Sequence, residues 1–128
     1  SKTENYLESL INKFSIKAPN SKAEISTLSG GNMQKLLMGR ELISNPEVII
    51  ASQPTRGLDV NAVEAIHNLL VEQRDKGSAI LMISEDLDEL FKLSNRIHVM
   101  FEGKIVKSFN IDDADINNVG LAMAGIVE

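Results

Sequence analysis

The spacing of apolar residues over the first third of the chain predicts two helices joined by a polar segment. The first is an amphipathic helix with Thr3 as a candidate cap, because its apolar residues recur at intervals of three and four. These apolar residues are Tyr6, Leu7, Leu10, Ile11 and Phe14. A polar connection over residues 15–27 follows. A second helix is predicted over residues 32–43, and it stops before Pro46 because the residue preceding a proline disfavours helical backbone.

Two short continuous apolar runs, residues 48–51 and 79–83, predict strands in the middle of the chain. Such runs are typical of strands that are buried on both faces of a parallel sheet. Between them we expect a loop over residues 54–59 and a helix over residues 60–76, which Gly77 ends. The inward-facing residues of that helix are expected to be Val63, Ile66, Leu69 and Leu70.

The last third of the chain predicts a short helix, a hairpin and a final helix. Asp86, with Glu89 three residues later, is typical of a capped helix N-terminus. Strands over residues 96–101 and 104–109 flank a Glu-Gly turn and predict an antiparallel hairpin. The final helix is expected from Asp112 onward, with Ile116, Val119, Met123 and Ile126 on one face. The alternation of strands and helices predicts an α/β fold with parallel pairing and right-handed crossovers.

Composition narrows the classes of function. The chain has 128 residues and a formal net charge of −5, so it lacks the basic field that nucleic-acid binding requires, and no nucleic-acid partner is expected. It has no cysteine, which excludes disulfides and thiolate metal sites. His67, expected on the exposed side of its helix, and His98, within a strand, have no partner at metal-ligand spacing. No apolar run approaches the ~20 residues that span a bilayer.

The most informative segment is residues 28–35, Leu-Ser-Gly-Gly-Asn-Met-Gln-Lys, which begins the second helix. Ser29 is a favourable N-cap, and Gly30 and Gly31 let the backbone approach a ligand because they carry no Cβ. The free N–H groups and the positive end of the helix dipole attract anions such as phosphate. By itself the segment is more typical of a capped surface helix that binds nothing, and only the sequence that follows favours the phosphate-binding interpretation.

Four features follow one another in a fixed order, and together they resemble the C-terminal part of an ABC-type ATPase domain. They are Leu-Ser-Gly-Gly at 28–31, a strand ending in Ser-Gln-Pro-Thr at 52–55, Gly-Leu-Asp at 57–59 and a strand ending in Ser-Glu-Asp at 84–86. In that family these positions are the signature loop, the Walker B strand, the D-loop and the switch-histidine region. The resemblance extends over residues 5–109, and it is similar in detail to the second half of the tandem ATPases that power bacterial sugar and nucleoside importers.

The resemblance implies a partial P-loop NTPase core with a mainly parallel sheet, a C-terminal β-hairpin and an N-terminal helical subdomain. We expect residues 1–45 to form that subdomain, with the signature motif, and residues 46–128 to form the C-terminal part of the α/β core. No Gly-x-x-x-x-Gly-Lys-Ser/Thr sequence occurs in the chain, so the Walker A part is absent. The chain is therefore expected to be a fragment that is cut within the helical subdomain. Its exposed sheet edges are expected to cause self-association or a rearranged sheet.

Three positions of the family's hydrolytic site are altered. The resemblance places Ser52 where an aspartate would orient Mg²⁺, and Gln53 where a glutamate would act as general base. Glu85 stands at the switch-histidine position, where its carboxylate would repel the γ-phosphate. The alternative interpretation makes Ser52 and Gln53 ordinary polar residues at a strand end, and Glu85 part of a helix start. With the resemblance, these positions predict that the domain's own site does not hydrolyse ATP efficiently.

The signature segment is intact, and the resemblance implies that it completes the ATP site of a partner domain. The residues assigned to the nucleotide in this way are Ser29, Gly30, Gly31, Asn32, Gln34 and Asp59. Ser29 and the glycine N–H groups would bind the γ-phosphate, whereas Asp59 would couple the two sites. ATP and Mg²⁺ are thus the expected cofactors of the intact protein, but tight binding by this fragment alone is not expected.

The leading hypothesis is a fragment of the ATP-binding subunit of a sugar or nucleoside importer. Its expected partners are a second nucleotide-binding domain and transmembrane permease subunits, which would hold it at the cytoplasmic face of the cell membrane. The parent protein would hydrolyse ATP, whereas the fragment would be inactive. One alternative is a module that has lost ATP chemistry and serves only dimerisation and coupling. Another alternative is an ABC-type ATPase of DNA repair or translation.

Overall fold

The structure, a computed structural model, describes residues 1–127. The chain divides after Ile83 into two compact units. The helices are α1 (Lys2–Lys13), α2 (Gly30–Leu42), α3 (Val60–Asp75), α4 (Leu87–Leu93) and α5 (Ile116–Met123). The strands are β1 (Val48–Ser52), β2 (Ala79–Ile83), β3 (Arg96–Phe101) and β4 (Lys104–Asn110). Short 3₁₀ turns lie at Ile25–Thr27 and Ile111–Asp113.

The first unit joins three helices, α1, α2 and α3, to a small parallel sheet. Strands β1 and β2 pair in parallel, in a register that runs from Val48 opposite Ala79 to Ser52 opposite Ile83. The predicted parallel pairing is thereby confirmed, with α3 as the connection between the two strands. Helices α1 and α2 lie in this same unit, so the expected subdomain boundary at residue 45 does not coincide with the division of the chain and stays a prediction.

Helices α1 and α2 pack together around the core of the first unit. Its buried residues are Leu10, Phe14, Ile16 and Leu42, and the partly buried Ile49 of β1 and Leu69 of α3 pack against them. Gly39 allows α2 to come this close, because a Cβ at that position would lie 2.7 Å from Cδ2 of Phe14. The absence of a side chain at Gly39 is therefore a packing requirement.

The prediction that both strands are buried on both faces is wrong for the described residues. Val48 and Ile50 are 65% and 69% exposed, whereas Ile49 between them contacts the core. Leu81 and Ile83 of β2 are 55% and 49% exposed on the same side. Successive residues of a strand point to opposite faces, and the described part of this unit covers only one of them. The sheet thus presents an uncovered apolar face.

Two helix details of this unit also differ from the predictions. Ser1, not Thr3, caps α1, because its Oγ accepts a hydrogen bond from the Glu4 N–H at 3.2 Å. His67 of α3 is only 4% exposed, so the prediction of an exposed histidine is wrong. His67 is buried next to Ile66 because the buried surface of α3 is wider than its apolar spacing indicates.

The second unit is built on the predicted antiparallel hairpin, β3 paired with β4. Its buried core consists of Ile97, Val99, Val119 and Ala122. Asp86 caps α4 through a bond of 3.2 Å from the Glu89 N–H to Oδ1, as the sequence predicts. The final helix α5 begins after Asp115, whose side chain accepts bonds from the N–H groups of Asn117 and Asn118.

The start and the buried face of α5 are therefore corrected. Asp112 lies in a 3₁₀ turn before the helix and not at its N-terminus. Of the predicted inward face, Val119 is fully buried, whereas Ile116, Met123 and Ile126 are 48%, 37% and 53% exposed. The second buried residue of α5 is Ala122, three positions after Val119. The buried face of the helix therefore runs through Val119 and Ala122, and the larger predicted side chains lie outside it.

Candidate functional site

The N-terminus of α2 is fixed by a small network of hydrogen bonds around Ser29. The Ser29 Oγ accepts a hydrogen bond from the Asn32 N–H at 3.2 Å, which confirms the predicted N-cap. The Asn32 Nδ2 donates to the same Oγ at 2.9 Å, and the Asn32 Oδ1 accepts from the Lys17 N–H at 2.9 Å. Asn32 thus ties the serine hydroxyl to the segment that follows α1. Ser29 and Gly30 remain exposed at the tip of the helix.

The two glycines of the segment have different surroundings. A Cβ at Gly30 would meet Cδ2 of Leu58 at 3.8 Å, which is an ordinary contact. A Cβ at Gly31 would lie 2.7 Å from the Cβ of Ala62 in α3, which is closer than two side-chain carbons approach. Gly31 is therefore required for the close approach of α2 to α3. This packing role cannot be predicted from the apolar pattern, because its only signal in the sequence is that Gly31 and Ala62 are both small residues.

Gln34 connects α2 to the loop that follows β1. Its side-chain Nε2 donates a hydrogen bond of 2.7 Å to the carbonyl oxygen of Pro54, and this contact is partly buried. Gln34 lies one turn after Gly30, so it belongs to the face of α2 that meets Leu58 and Ala62. The assignment of Gln34 to the nucleotide stays a prediction, but its amide nitrogen is engaged within the chain.

The loop at residues 54–59 follows a residue with a strained backbone and ends with the cap of a helix. Gln53 has a φ of 49°, in the left-handed region that residues other than glycine rarely adopt. Its N–H donates to the Ile83 carbonyl at 2.7 Å, and its own carbonyl accepts from the Arg56 N–H at 3.2 Å. At the other end, the Asp59 Oδ1 accepts from the Ala62 N–H at 2.9 Å and caps α3. Asp59 itself is exposed, and its coupling role stays a prediction.

The three altered positions do not lie together in one unit. Ser52 is the last residue of β1, opposite Ile83, and Gln53 follows it directly. Glu85 belongs to the second unit, where it is exposed and directly precedes the N-cap of α4. The structure therefore groups the signature segment with the Ser52–Asp59 region, whereas Glu85 is held by a different part of the chain.

A resident magnesium ion does not fit the residues at the end of β1. Mg²⁺ prefers carboxylate oxygens, but Ser52 and Gln53 offer a neutral hydroxyl and a neutral amide. Within residues 1–127, no group of three or more His, Cys, Asp or Glu side chains could hold a metal ion. The described helices also include none that is long and apolar enough to cross a membrane.

The chain is similar in sequence to several import ATP-binding proteins. It is 48% identical over 117 residues to the guanosine import ATP-binding protein NupO of Bacillus subtilis (strain 168), a match that covers 91% of this chain and 23% of the relative. It is 44% identical to the ribose import ATP-binding protein RbsA of Clostridium perfringens (strain 13 / Type A), over 94% of this chain and 24% of the relative. The chain thus spans about a quarter of the length of these relatives. No protein-family model matches it.

The fold is similar to that of solved ATP-binding cassettes. MJ1267, an ATP-binding cassette of an ABC transporter, aligns with a TM-score of 0.75 and 26% identity over 98% of this chain and 51% of the cassette. The ATP-binding cassette MJ0796, described as a dimer bound to ADP and Pi, shares the fold with a TM-score of 0.70 over 81% of this chain and 45% of the cassette. The predicted partial P-loop NTPase core is thereby confirmed. The chain corresponds to the C-terminal part of an ABC transporter ATP-binding domain, with relatives among the ATP-binding proteins of sugar and nucleoside import.

Proposed function

We propose that this chain is part of the ATP-binding subunit of a sugar or nucleoside importer, and that it completes an ATP site on a partner nucleotide-binding domain. The observation that carries this proposal is the exposed N-terminus of α2, where Ser29 and Gly30 are accessible and the backbone is fixed by Asn32. The names of the relatives support the importer class, since they specify a nucleoside, guanosine, and two sugars, glucose and ribose.

The N-terminus of α2 is suited to a phosphate group of Mg-ATP bound by the partner. The first-turn N–H groups of a helix have no acceptor within the helix, and the dipole places a partial positive charge there. Such a helix end stabilises an anion by up to ~2 kcal/mol in a partly buried geometry. The Ser29 hydroxyl would add a hydrogen bond to the γ-phosphate, and the lack of a Cβ at Gly30 would let the phosphate come close.

The chain's own catalytic positions are proposed not to support ATP hydrolysis. The Gln53 amide can orient a water molecule, but it cannot accept a proton from it, so general-base catalysis is lost. Ser52 supplies no charge to orient Mg²⁺. A carboxylate at Glu85 would repel a γ-phosphate by about 4 kcal/mol at ~4 Å and an effective dielectric of ~20. Asp59, exposed at the start of α3, would face the partner and couple the two sites.

The same proposal specifies the partners and the place of action. A second nucleotide-binding domain would carry the phosphate-binding loop that this chain lacks, and transmembrane permease subunits would hold the assembly at the cytoplasmic face of the membrane. Self-association of the isolated chain stays a prediction. The uncovered apolar face of the β1–β2 sheet, with Val48 and Ile50, supports it, because exposed apolar patches favour association.

Calorimetric titration of the isolated chain with Mg-ATP is expected to show no binding up to millimolar concentration. The physical reason is that the chain has no phosphate-binding loop, and one helix N-terminus supplies too little free energy for stable capture of the nucleotide. The intact protein serves as the positive control and is expected to bind. Micromolar binding by the isolated chain would contradict the proposal, since a complete phosphate site would then exist within these residues.

A further inference from the structure

We infer that Gln34 is a positioning residue that holds the N-terminus of α2 and the loop at residues 54–59 in one fixed arrangement, and that it does not contact the nucleotide. The inference rests on the proposed function, because its consequence for activity requires that both segments meet the partner domain. It also has a consequence that is independent of activity, namely the mobility of the loop.

The first support is the direction of the Gln34 side chain. Its Nε2 donates to the Pro54 carbonyl at 2.7 Å, which is a short and partly buried hydrogen bond, and Pro54 itself is a buried residue. The bond joins residues 20 positions apart in the sequence. A side chain held in this way points toward the loop that follows β1, and its amide nitrogen is engaged there.

The second support comes from the other contacts on the same face of α2. Gly30 lies against the Leu58 side chain, and Gly31 lies against Ala62 in the first turn of α3. Together with Gln34, these residues form a continuous contact surface between α2 and the segment that runs from the loop into α3. Gln34 adds a directional contact to this surface, because its side chain donates a hydrogen bond, whereas the glycines contribute only proximity.

The third support is the conformation of the loop. Gln53, directly before Pro54, has a φ of 49°, and Gly57 has a φ of 75°. A backbone with a sparsely populated conformation at a residue other than glycine persists when its surroundings fix it. The bonds from Arg56 to Gln53 and from Leu58 to Thr55 set the local turns, whereas the Gln34 amide connects the loop to another element.

The functional consequence follows from what the loop carries. Asp59 ends the loop and caps α3, and it is exposed in the same unit as Ser29. If both residues meet the partner domain, they must reach it in a fixed mutual geometry. Loss of the Gln34 bond would let the loop move independently of α2, so fewer molecules would present both segments correctly at once.

The test compares Gln34→Met, Gln34→Glu and Gln34→Leu in the intact protein assembled with its partners. Amide exchange at residues 55–59 is expected to accelerate at least about tenfold in each variant, since a single partly buried bond is lost. Gln34→Glu is expected to show the largest increase, because a carboxylate oxygen would then face the Pro54 carbonyl. ATP hydrolysis at saturating ATP is expected to fall about tenfold, while the midpoint of global unfolding stays close to that of the wild type.

Two controls separate this inference from the proposed function. Arg40→Gln, on the exposed last turn of α2, is expected to leave both exchange and hydrolysis unchanged. Ser29→Arg is expected to abolish hydrolysis without faster exchange at residues 55–59. Unchanged exchange in all three Gln34 variants would overturn the positioning role, even if hydrolysis fell. Full hydrolysis by Ser29→Arg would instead overturn the proposed function, whereas accelerated exchange in the Gln34 variants would still support the tie between α2 and the loop.

Discussion

Replacing Ser29 by arginine is expected to reduce ATP hydrolysis by the intact protein at least about a hundredfold, comparable with the loss of one donor from a preorganised anion site. Ser29 is exposed at the tip of α2, where its Oγ is held by two bonds from Asn32. An arginine would fill the space that the γ-phosphate of a partner-bound nucleotide needs, and it would remove the hydroxyl donor. Steady-state hydrolysis by the assembled transporter measures the effect.

The expected loss must be separated from a general effect on folding. Loss of the N-cap destabilises the helix by about 1 kcal/mol, which does not unfold a typical domain. Ser44→Arg is the matched control, because it introduces the same side chain at an exposed site beyond the other end of α2. Ser29→Thr, which keeps a capping hydroxyl, is expected to retain most of the activity. Near-normal hydrolysis by Ser29→Arg would contradict the assignment of the signature segment to a partner site.

The second large effect is expected from Gly31→Ala, which should destabilise the first unit by about 1–3 kcal/mol, as overpacked sites do. Alanine is normally the better helix former, so the change opposes the intrinsic preference. The reason is the built Cβ at Gly31, which lies 2.7 Å from the Cβ of Ala62. A methyl group attached directly to the backbone of α3 cannot rotate away, so the helices must separate. Equilibrium unfolding of the chain in urea measures the decrease in the free energy of unfolding.

Two further variants make the packing explanation specific. Gly120→Ala, in a helix where a Cβ would meet no atom within 4 Å, is expected to stabilise by about 0.5–1 kcal/mol. Ala62→Gly combined with Gly31→Ala should recover part of the lost stability, because it moves the methyl group from α3 to α2. If the double variant were as unstable as the sum of the single ones, close packing of α2 on α3 would not be the cause.

The sequence predicts the elements of this fold well where a local pattern is sufficient. Helices α1 and α3 follow from their apolar spacing, and strands β1 and β2 follow from continuous apolar runs. Each of these patterns lies within a single segment and can be identified without knowing its neighbours in the fold. The caps at Ser29 and Asp86 are likewise local, because the acceptor lies three residues from its donor. The order of motifs then indicated the family before any contact between distant residues was known.

The predictions that failed depend on what covers each element. Continuous apolar runs indicated that the strands were buried on both sides, but Val48 and Ile50 are exposed, so the described residues cover only one face of the sheet. His67 is buried because of the neighbours of α3, which its own spacing does not reveal. Three nearby acidic residues could each begin the last helix, and the burial of Val119 and Ala122 favours the start after Asp115.

The contacts that shape the candidate site could not be predicted from the sequence. The Gln34–Pro54 bond and the Gly31–Ala62 contact join residues that are distant in the sequence, and they exist only because α2 packs on α3. A sequence motif shows which residue types occur at which spacing. It does not show whether a given residue of the motif contacts a ligand or is required for packing. For Gly31, the structure adds a packing role to the one that the family resemblance implies.

The most direct test of the account compares ATP hydrolysis by Ser29→Arg and Gln53→Asn in the same assembled transporter. Asparagine tolerates the left-handed backbone at position 53. The second variant therefore shortens the amide side chain, so that it no longer reaches the same place, without additional backbone strain. The account predicts near-complete loss of hydrolysis for Ser29→Arg and wild-type hydrolysis for Gln53→Asn, because the chain's own site is silent while its signature segment serves the partner. Wild-type activity in the first variant, or a comparable loss in both, would contradict it.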